Sequence, residues 1–280
     1  MDINGRELSK KIKNEIKNEV DKLDKKPGLA VVLVGENPAS KVYVRHKEKA
    51  CQKVGYYSKK IVLSDNTSEE ELLTLVDELN NDNLIHGILV QLPLPKHIDS
   101  DKVISSINPN KDVDGFHPLN MGKLMIGQKT IISCTPKGII ELIKSTKIDM
   151  SGKNAVVIGR SNIVGKPIAL LLLQNNATVT ICHSRTKDLK KHCLDADIIV
   201  AAVGIPNFVK EDMVKKECVI IDVGINRLDD GTLTGDVDYE NVHDKVSFIT
   251  PVPGGVGPMT IASLMKNTLE CYNKIEEGIE

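Results

Sequence analysis

Apolar residues Leu8, Ile12, Ile16, Val20 and Leu23 recur at three- and four-residue intervals near the start of the chain. That spacing predicts an amphipathic helix with a lysine-rich outer face. Pro27 and Gly28 end it, and the unbroken run LAVVLVG at 29–35 predicts a strand buried on both faces, as in a parallel sheet. NPAS at 37–40 supplies a turn and an N-cap for a helix carrying YVRHK at 43–47. A strand (YYSKKIVL), a helix (DNTSEEELLTLVDELNND) and a strand entering a proline-rich loop (IHGILVQLPLP) follow. This β-α-β-α-β alternation predicts a doubly wound α/β unit.

After a short helix near 99–106, NPNKDVDGFHP is dense in turn formers and reads as an inter-domain connection. A second alternation begins near 120. Helices are predicted at TPKGIIELIKST, VGKPIALLLLQNN, TKDLKKHCLDA and, as one turn, KEDMVK. Strands are predicted at KNAVVIG, TVTICHS, DIIVAAVG, CVIIDVG and the start of FITPVPGGVGP. Pro167 is tolerable only in a helix's first turn. The final segment, MTIASLMKNTLECYNKI, is an amphipathic helix that returns to the first domain. The expected architecture is therefore two α/β domains with a cleft between them. Residues 1–119 with about 258–280 form one, and residues 120–257 form a Rossmann-like, doubly wound nucleotide-binding domain.

Composition narrows the function. A net charge of −1 over 280 residues gives no electrostatic case for nucleic acid or an anionic membrane. Aromatics are 3% and Trp is absent, which argues against base-stacking platforms. The six cysteines form no C-x-x-C pair and no zinc-spaced cluster with His, so no metal is expected. Reduced thiols suit a cytoplasm. The N-terminus lacks the apolar core of a leader peptide, and the aliphatic run at 168–173 is too short to span a bilayer.

GRSNIVGKP at 159–167 follows a strand and opens a helix. It holds Gly159 and Gly165, with Ser161 where a dinucleotide fingerprint has its middle glycine. Such a turn lets backbone N–H groups and a helix N-terminus meet a phosphate. By itself it is equally a tight βα turn with no ligand. The next strand ends at CHSRT, where NAD enzymes tend to carry an acid for the ribose hydroxyl. Here Ser184 and Arg185, with Arg160 in the first loop, match a 2′-phosphate instead, favouring NADP over NAD. Ile225 lies beyond another strand's C-terminus, and PGGVGP at 253–258 permits close backbone approach to a flat ring or forms a structural loop.

Ser40, Tyr43 and Lys47 share one helix, with Tyr43 and Lys47 on one face. Gln91 ends an apolar strand, and Asp112 and Asp114 lie in the connecting loop. A Y-x-x-x-K pair also occurs in short-chain dehydrogenases, but there the nucleotide glycines precede the pair. Here Tyr43 and Lys47 precede Gly159 by more than a hundred residues, which disfavours that fold.

NPASKVYVRHKEKAC, GILVQLPLP, NKDVDGFHPLN, CTPKGI, GRSNIVGKP, VIIDVGINR and TPVPGGVGPMT occur in this order across nearly the whole chain. In these segments the chain resembles the bifunctional methylenetetrahydrofolate dehydrogenase/methenyltetrahydrofolate cyclohydrolase family. Ser133 departs from the proline that often precedes the Cys-Thr-Pro of that family. The resemblance implies NADP-dependent oxidation of 5,10-methylenetetrahydrofolate, then hydrolysis of the methenyl cation to 10-formyltetrahydrofolate. It also implies a homodimer that binds folate between its domains and serves one-carbon metabolism and purine biosynthesis.

By the same resemblance, Lys47 carries the hydration, with a neutral amine favoured beside a cationic substrate. Gln91 holds it, Tyr43 orders water or substrate, and Asp114 accepts two pterin N–H groups. Ser40, Leu92, Pro253, Gly254 and Gly255 complete the implied folate set. Thr135, Gly159, Arg160, Ser161, Gly165, Ser184, Arg185, Ile225 and Gly257 make up the implied NADP set. Two alternatives remain at the level of sequence. One is a monofunctional NAD-linked dehydrogenase, and the other is a non-catalytic folate- or nucleotide-binding protein.

Overall fold

A computed structural model describes residues 1–278. It resolves into two compact units, each built on its own parallel sheet. The three-stranded unit comprises Lys10–Cys134 with the segment from Ile261, and the five-stranded unit comprises Met1–Ser9 with Thr135–Thr260.

The chain opens with α1 (Gly5–Val20), β1 (Gly28–Val34), α2 (Pro38–Val54), β2 (Tyr57–Leu63), α3 (Glu69–Asn81), β3 (Gly87–Val90), α4 (Ser100–Ser106) and α5 (Pro118–Met125). The strand order is β2-β1-β3, all parallel. Every residue of central β1 is buried, as its unbroken apolar run requires. Leu29, Val31 and Leu33 pack with Ile16 and Val20 of α1, Val44 and Cys51 of α2, and Leu264, Met265 and Leu269 further along the chain. Ala30, Val32 and Val34, on the other face, pack with Leu72, Val76 and Leu79 of α3 and Val103 of α4. The two-residue period of the strand thus feeds two separate cores.

The chain continues with α6 (Cys134–Ser145), β4 (Asn154–Ile158), α7 (Gly165–Gln174), β5 (Thr178–Cys182), α8 (Leu189–Asp195), β6 (Ile198–Ala201) and β7 (Val219–Asp222). A small antiparallel pair follows, β8 (Asn226–Arg227) and β9 (Leu233–Thr234), then α9 (Tyr239–Val242), β10 (Phe248–Ile249) and α10 (Val256–Glu277). The parallel order is β10-β7-β6-β4-β5. Pro167 falls in the first turn of α7, where its missing N–H costs nothing. The short α5, α9 and the β8–β9 pair carry no periodic pattern long enough to read from sequence.

The units divide elsewhere than the expected boundary after residue 119. Residues 120–134 pack with the three-stranded unit: Asn120 donates to Asp112 at 2.9 Å, and Ile131 and Cys134 enter its core. Met1 and Ile3 join the other unit by backbone bonds with Ser247 and Ile249. Of the C-terminal helix expected at about 258–280, residues 279 and 280 lie outside the described residues. Among the described residues, no helix is long and apolar enough to cross a membrane.

Candidate active site

Helix α2 starts where the Asn37 side chain accepts the Ser40 amide at 3.0 Å, and ends at Gly55, whose φ is 82°. Its buried stripe runs Ser40, Val44, Lys47, Cys51 and Val54. A lysine therefore occupies a core-facing position and is only 7% exposed. A buried ammonium or amine needs a partner. Lys47 Nζ donates to Gln91 Oε1 at 2.9 Å, and Gln91 Nε2 donates to the Leu92 carbonyl at 2.7 Å. The second bond fixes which end of the amide faces Lys47. Gln91 follows directly on β3 and its amide donates to Val32 of β1 at 2.8 Å, so the sheet's C-terminal edge positions it.

Tyr43 is half-buried one turn before Lys47, and burial raises its phenol above the ordinary range. Ser40 is buried in the first turn, and Leu92 precedes the cis Pro93. Arg45 and His46 are exposed.

Asp114 lies in a loop tied on both flanks. Asp112, 2% exposed, accepts the amides of Gly115 (3.0 Å) and His117 (2.8 Å) and the Asn120 side chain (2.9 Å). The Val113 carbonyl accepts Asn267 Nδ2 at 2.8 Å and the Cys134 thiol at 3.3 Å. Ser133 Oγ donates to the Gly115 carbonyl at 3.2 Å. Burial pushes the Asp114 carboxyl up to about 6, opposed by the Lys47 charge, reinforced by Asp112 and opposed again by the Cys134 thiol. Lys47, Gln91 and Asp114, distant in sequence, are thus neighbours in the three-stranded unit. Sequence reasoning missed Asn267 and the bracing by Asp112. The available signal was Asn267-Thr268, two polar residues at fully buried positions of an amphipathic helix.

The remaining candidates lie in the five-stranded unit. β4 runs into Gly159, whose φ is 126° and where a Cβ would stand 2.3 Å from the Ala202 carbonyl oxygen. At Gly165 a Cβ would stand 2.3 Å from the Gly159 oxygen, so this turn admits only glycine at both ends. Ser161 Oγ accepts the amides of Val164 (3.2 Å) and Gly165 (3.3 Å), bracing the entry to α7. Arg160 after β4, and Ser184 and Arg185 after β5, are exposed at the C-terminal ends of adjacent strands. Two guanidinium groups, a hydroxyl and a helix N-terminus at that edge fit a phosphorylated dinucleotide.

Ile225, three residues beyond β7, is 49% exposed, and a Cβ on Gly257 would lie 3.8 Å from its Cδ1. The Thr135 and Thr260 hydroxyls share a hydrogen bond of 2.9 Å. Pro253, Gly254 and Gly255 form the loop between β10 and α10, held by the Gly255 amide on the Pro251 carbonyl (2.8 Å) and the Arg6 amide on that of Gly254 (3.0 Å). Among the described residues no group of three or more His, Cys, Asp or Glu side chains could hold a metal ion.

Two family profiles match the chain. "Tetrahydrofolate dehydrogenase/cyclohydrolase, catalytic domain" covers residues 3–114. "Tetrahydrofolate dehydrogenase/cyclohydrolase, NAD(P)-binding domain" covers residues 133–276. Bifunctional protein FolD of Acetivibrio thermocellus is 58% identical over 271 residues, 96% of this chain and 95% of that one. The crystal structure of the bifunctional methylenetetrahydrofolate dehydrogenase/cyclohydrolase from Campylobacter jejuni is 50% identical with a TM-score of 0.96, covering 98% of this chain and 99% of that one. The Trypanosoma brucei dehydrogenase-cyclohydrolase, solved with NADP cofactor and inhibitor, is 37% identical with a TM-score of 0.95, covering 99% and 98%.

Proposed function

The chain belongs to the tetrahydrofolate dehydrogenase/cyclohydrolase family, and from that premise we propose that Lys47, Gln91, Tyr43 and Asp114 serve both of its reactions. It is a bifunctional enzyme that oxidises 5,10-methylenetetrahydrofolate with NADP and hydrolyses the methenyl product to 10-formyltetrahydrofolate. The observation that carries the residue assignment is the hydrogen bond from buried Lys47 to Gln91, beside Asp114.

NADP, when bound, supplies the acceptor for a hydride from the methylene carbon. The product cation is stabilised by its own two nitrogens, so this step asks the protein for placement more than for an acid or base. Asp114 accepts the pterin ring N–H and exocyclic amine through one carboxylate. Tyr43 lays its ring against the folate. Hydration asks for proton management. Water adds to the methenyl carbon and the Lys47 amine takes one of its protons; that proton passes to the ring nitrogen as its C–N bond breaks, and the remaining hydroxyl proton leaves to solvent as the formyl C=O forms. Gln91 holds Nζ where both transfers are within reach. Arg160, Ser184 and Arg185 hold the 2′-phosphate of NADP, Gly159, Ser161 and Gly165 shape the phosphate turn, and Thr135, Ile225 and Gly257 line the rest of that site. Ser40 and Leu92 line the folate site of the three-stranded unit.

We also propose a cytoplasmic homodimer. Six buried thiols suit a reducing compartment, and edge strand β5 and helix α7 present exposed Ile181 and Leu173. Light scattering on the purified protein checks the dimer. A coupled assay following NADPH and the methenyl chromophore together tests the catalytic reading. Both signals rise and the chromophore then decays if it holds, and a chromophore that persists at its uncatalysed lifetime overturns the role of Lys47 in hydration.

A further inference from the structure

Two buried carboxylates stand outside the residues assigned so far. Asp222, ending β7, is 2% exposed, and Asp236, just past β9, is 0% exposed. Asp236 Oδ2 accepts the amides of Val203 (2.7 Å) and Gly204 (2.9 Å), and its Oδ1 accepts the Ile205 amide (3.1 Å) and Asn226 Nδ2 (2.9 Å). Asp222 Oδ1 accepts the amides of Gly224 and Asp236, and its Oδ2 accepts that of Val237, each at 2.9 Å. The Asp222 amide itself donates to Thr250 Oγ1 at 2.7 Å. The clasp has no slack: a Cβ on Gly235 would lie 1.9 Å from Asp222 Oδ2, and one on Gly224 would lie 2.2 Å from Asp236 Oδ1.

Burying acids is costly, and stability alone is better served by apolar packing. What this pair provides is placement. Asp236 gathers the loop after β6 and the loop after β7 on one carboxylate, and Asp222 pins the backbone of Asp236. Both loops leave the C-terminal ends of central parallel strands: β6 adjoins β4 and its Gly159 turn, and β7 lies one strand further out. Ligands of such sheets bind outside those ends, and the adenosine ribose lies beyond the strand after the phosphate turn. That strand is β5, so the nicotinamide end extends the opposite way, over β6 and β7. There the clasped loops present Ile205 and Ile225, each 49% exposed.

We propose that Asp236, braced by Asp222, is a positioning residue for the nicotinamide half of NADP, acting by fixing the Ile205 and Ile225 loops. This rests on the five-stranded unit being the NADP-binding unit.

The test uses full-length wild type, Asp236→Asn and Asn226→Ala. Three quantities are measured: NADPH affinity by fluorescence, affinity for adenosine 2′,5′-bisphosphate (the adenosine half alone), and cyclohydrolase rate on methenyltetrahydrofolate without NADP. Asp236→Asn keeps the shape but turns an acceptor into a donor facing backbone N–H groups. It is expected to weaken NADPH about tenfold or more, leaving the bisphosphate affinity and cyclohydrolase rate within about twofold. Parallel loss of bisphosphate binding would show a merely structural role and overturn the proposal, as would unchanged NADPH affinity. Should Asp236→Asn not fold, Asn226→Ala decides. A fall of about threefold in NADPH affinity with the bisphosphate unaffected supports the proposal, and no fall overturns it. If wild type binds neither nucleotide, the cofactor reading itself fails and the proposal with it.

Discussion

Lys47 Nζ donates a 2.9 Å hydrogen bond to Gln91 Oε1 across 44 residues of sequence. The acceptor is neutral, so the bond orients the amine without supplying a counter-charge. Gln91→Glu would replace this neutral acceptor with a carboxylate that holds Lys47 in its charged form, and would lose the donor that faces the Leu92 carbonyl. Cyclohydrolase turnover is expected to fall by roughly tenfold or more, with folate KM changed much less. Lys47→Met should go further, abolishing hydration while sparing part of the dehydrogenase. Wild-type hydration in Lys47→Met would remove the lysine from the mechanism.

Asp114 ionises at about 6, against an ordinary 3.8, chiefly because of burial. The folded protein therefore binds this proton more tightly than the unfolded chain. Ionised Asp114 costs stability in full above about pH 6, and the cost is relieved as pH falls toward 3.8. Asp114→Asn is expected to be more stable than wild type by roughly 1–3 kcal/mol at neutral pH, with the gap closing near pH 4, while folate affinity drops. Urea unfolding at the two pH values measures the gap, and a pH-independent difference would contradict the linkage.

Asn267 braces the same loop from the C-terminal helix, donating to the carbonyls of Val113 and Ile132, each at 2.8 Å. Asn267→Leu removes that donor from both carbonyls and leaves the Val113 carbonyl with the weaker Cys134 thiol. A loss of roughly 1–3 kcal/mol by denaturant unfolding is expected, with folate KM raised and NADPH affinity retained.

His86 is buried with Nδ1 accepting the Gly28 amide at 2.9 Å and Nε2 bonded to Glu276 at 3.0 Å. Burial lowers its imidazole below the ordinary 6.5, against the pull of Glu276 and with a push from Lys25 and Lys111. The unfolded chain takes up this proton first as pH falls, so stability declines as pH drops through about 6.5 and levels off below the folded value. His86→Asn keeps an acceptor for Gly28 and cannot titrate. Its unfolding midpoint between pH 7 and pH 5 should be flatter than that of wild type; an equal slope would assign the effect to other groups.

Arg160 and Arg185 are exposed at adjacent strand ends. Arg185→Ala is expected to lower kcat/KM for NADP by about tenfold and leave that for NAD nearly unchanged. An equal fall for both cofactors would argue against contact with the 2′-phosphate.

Much of the fold was legible locally. The apolar run of β1, the caps and glycines bounding α2, and the β-α alternation each state a periodicity that a strand or helix must satisfy. The period also placed Tyr43 and Lys47 on one helix, and the order of motifs removed the short-chain dehydrogenase. Periodicity names a face but not what that face meets. Only tertiary structure decided that the Lys47 face is buried, that Gln91 answers it, and that Asp114 titrates high. The same holds for Asn267 with Val113, and for Asp236 with Val203: each joins a side chain to backbone amides or carbonyls far along the chain. Such bonds leave no local pattern, because any polar side chain carries the same donors and acceptors until folding selects its partner. The unit boundary moved past residue 119 because Asn120 bonds Asp112, and Ile131 and Cys134 enter the core of the three-stranded unit.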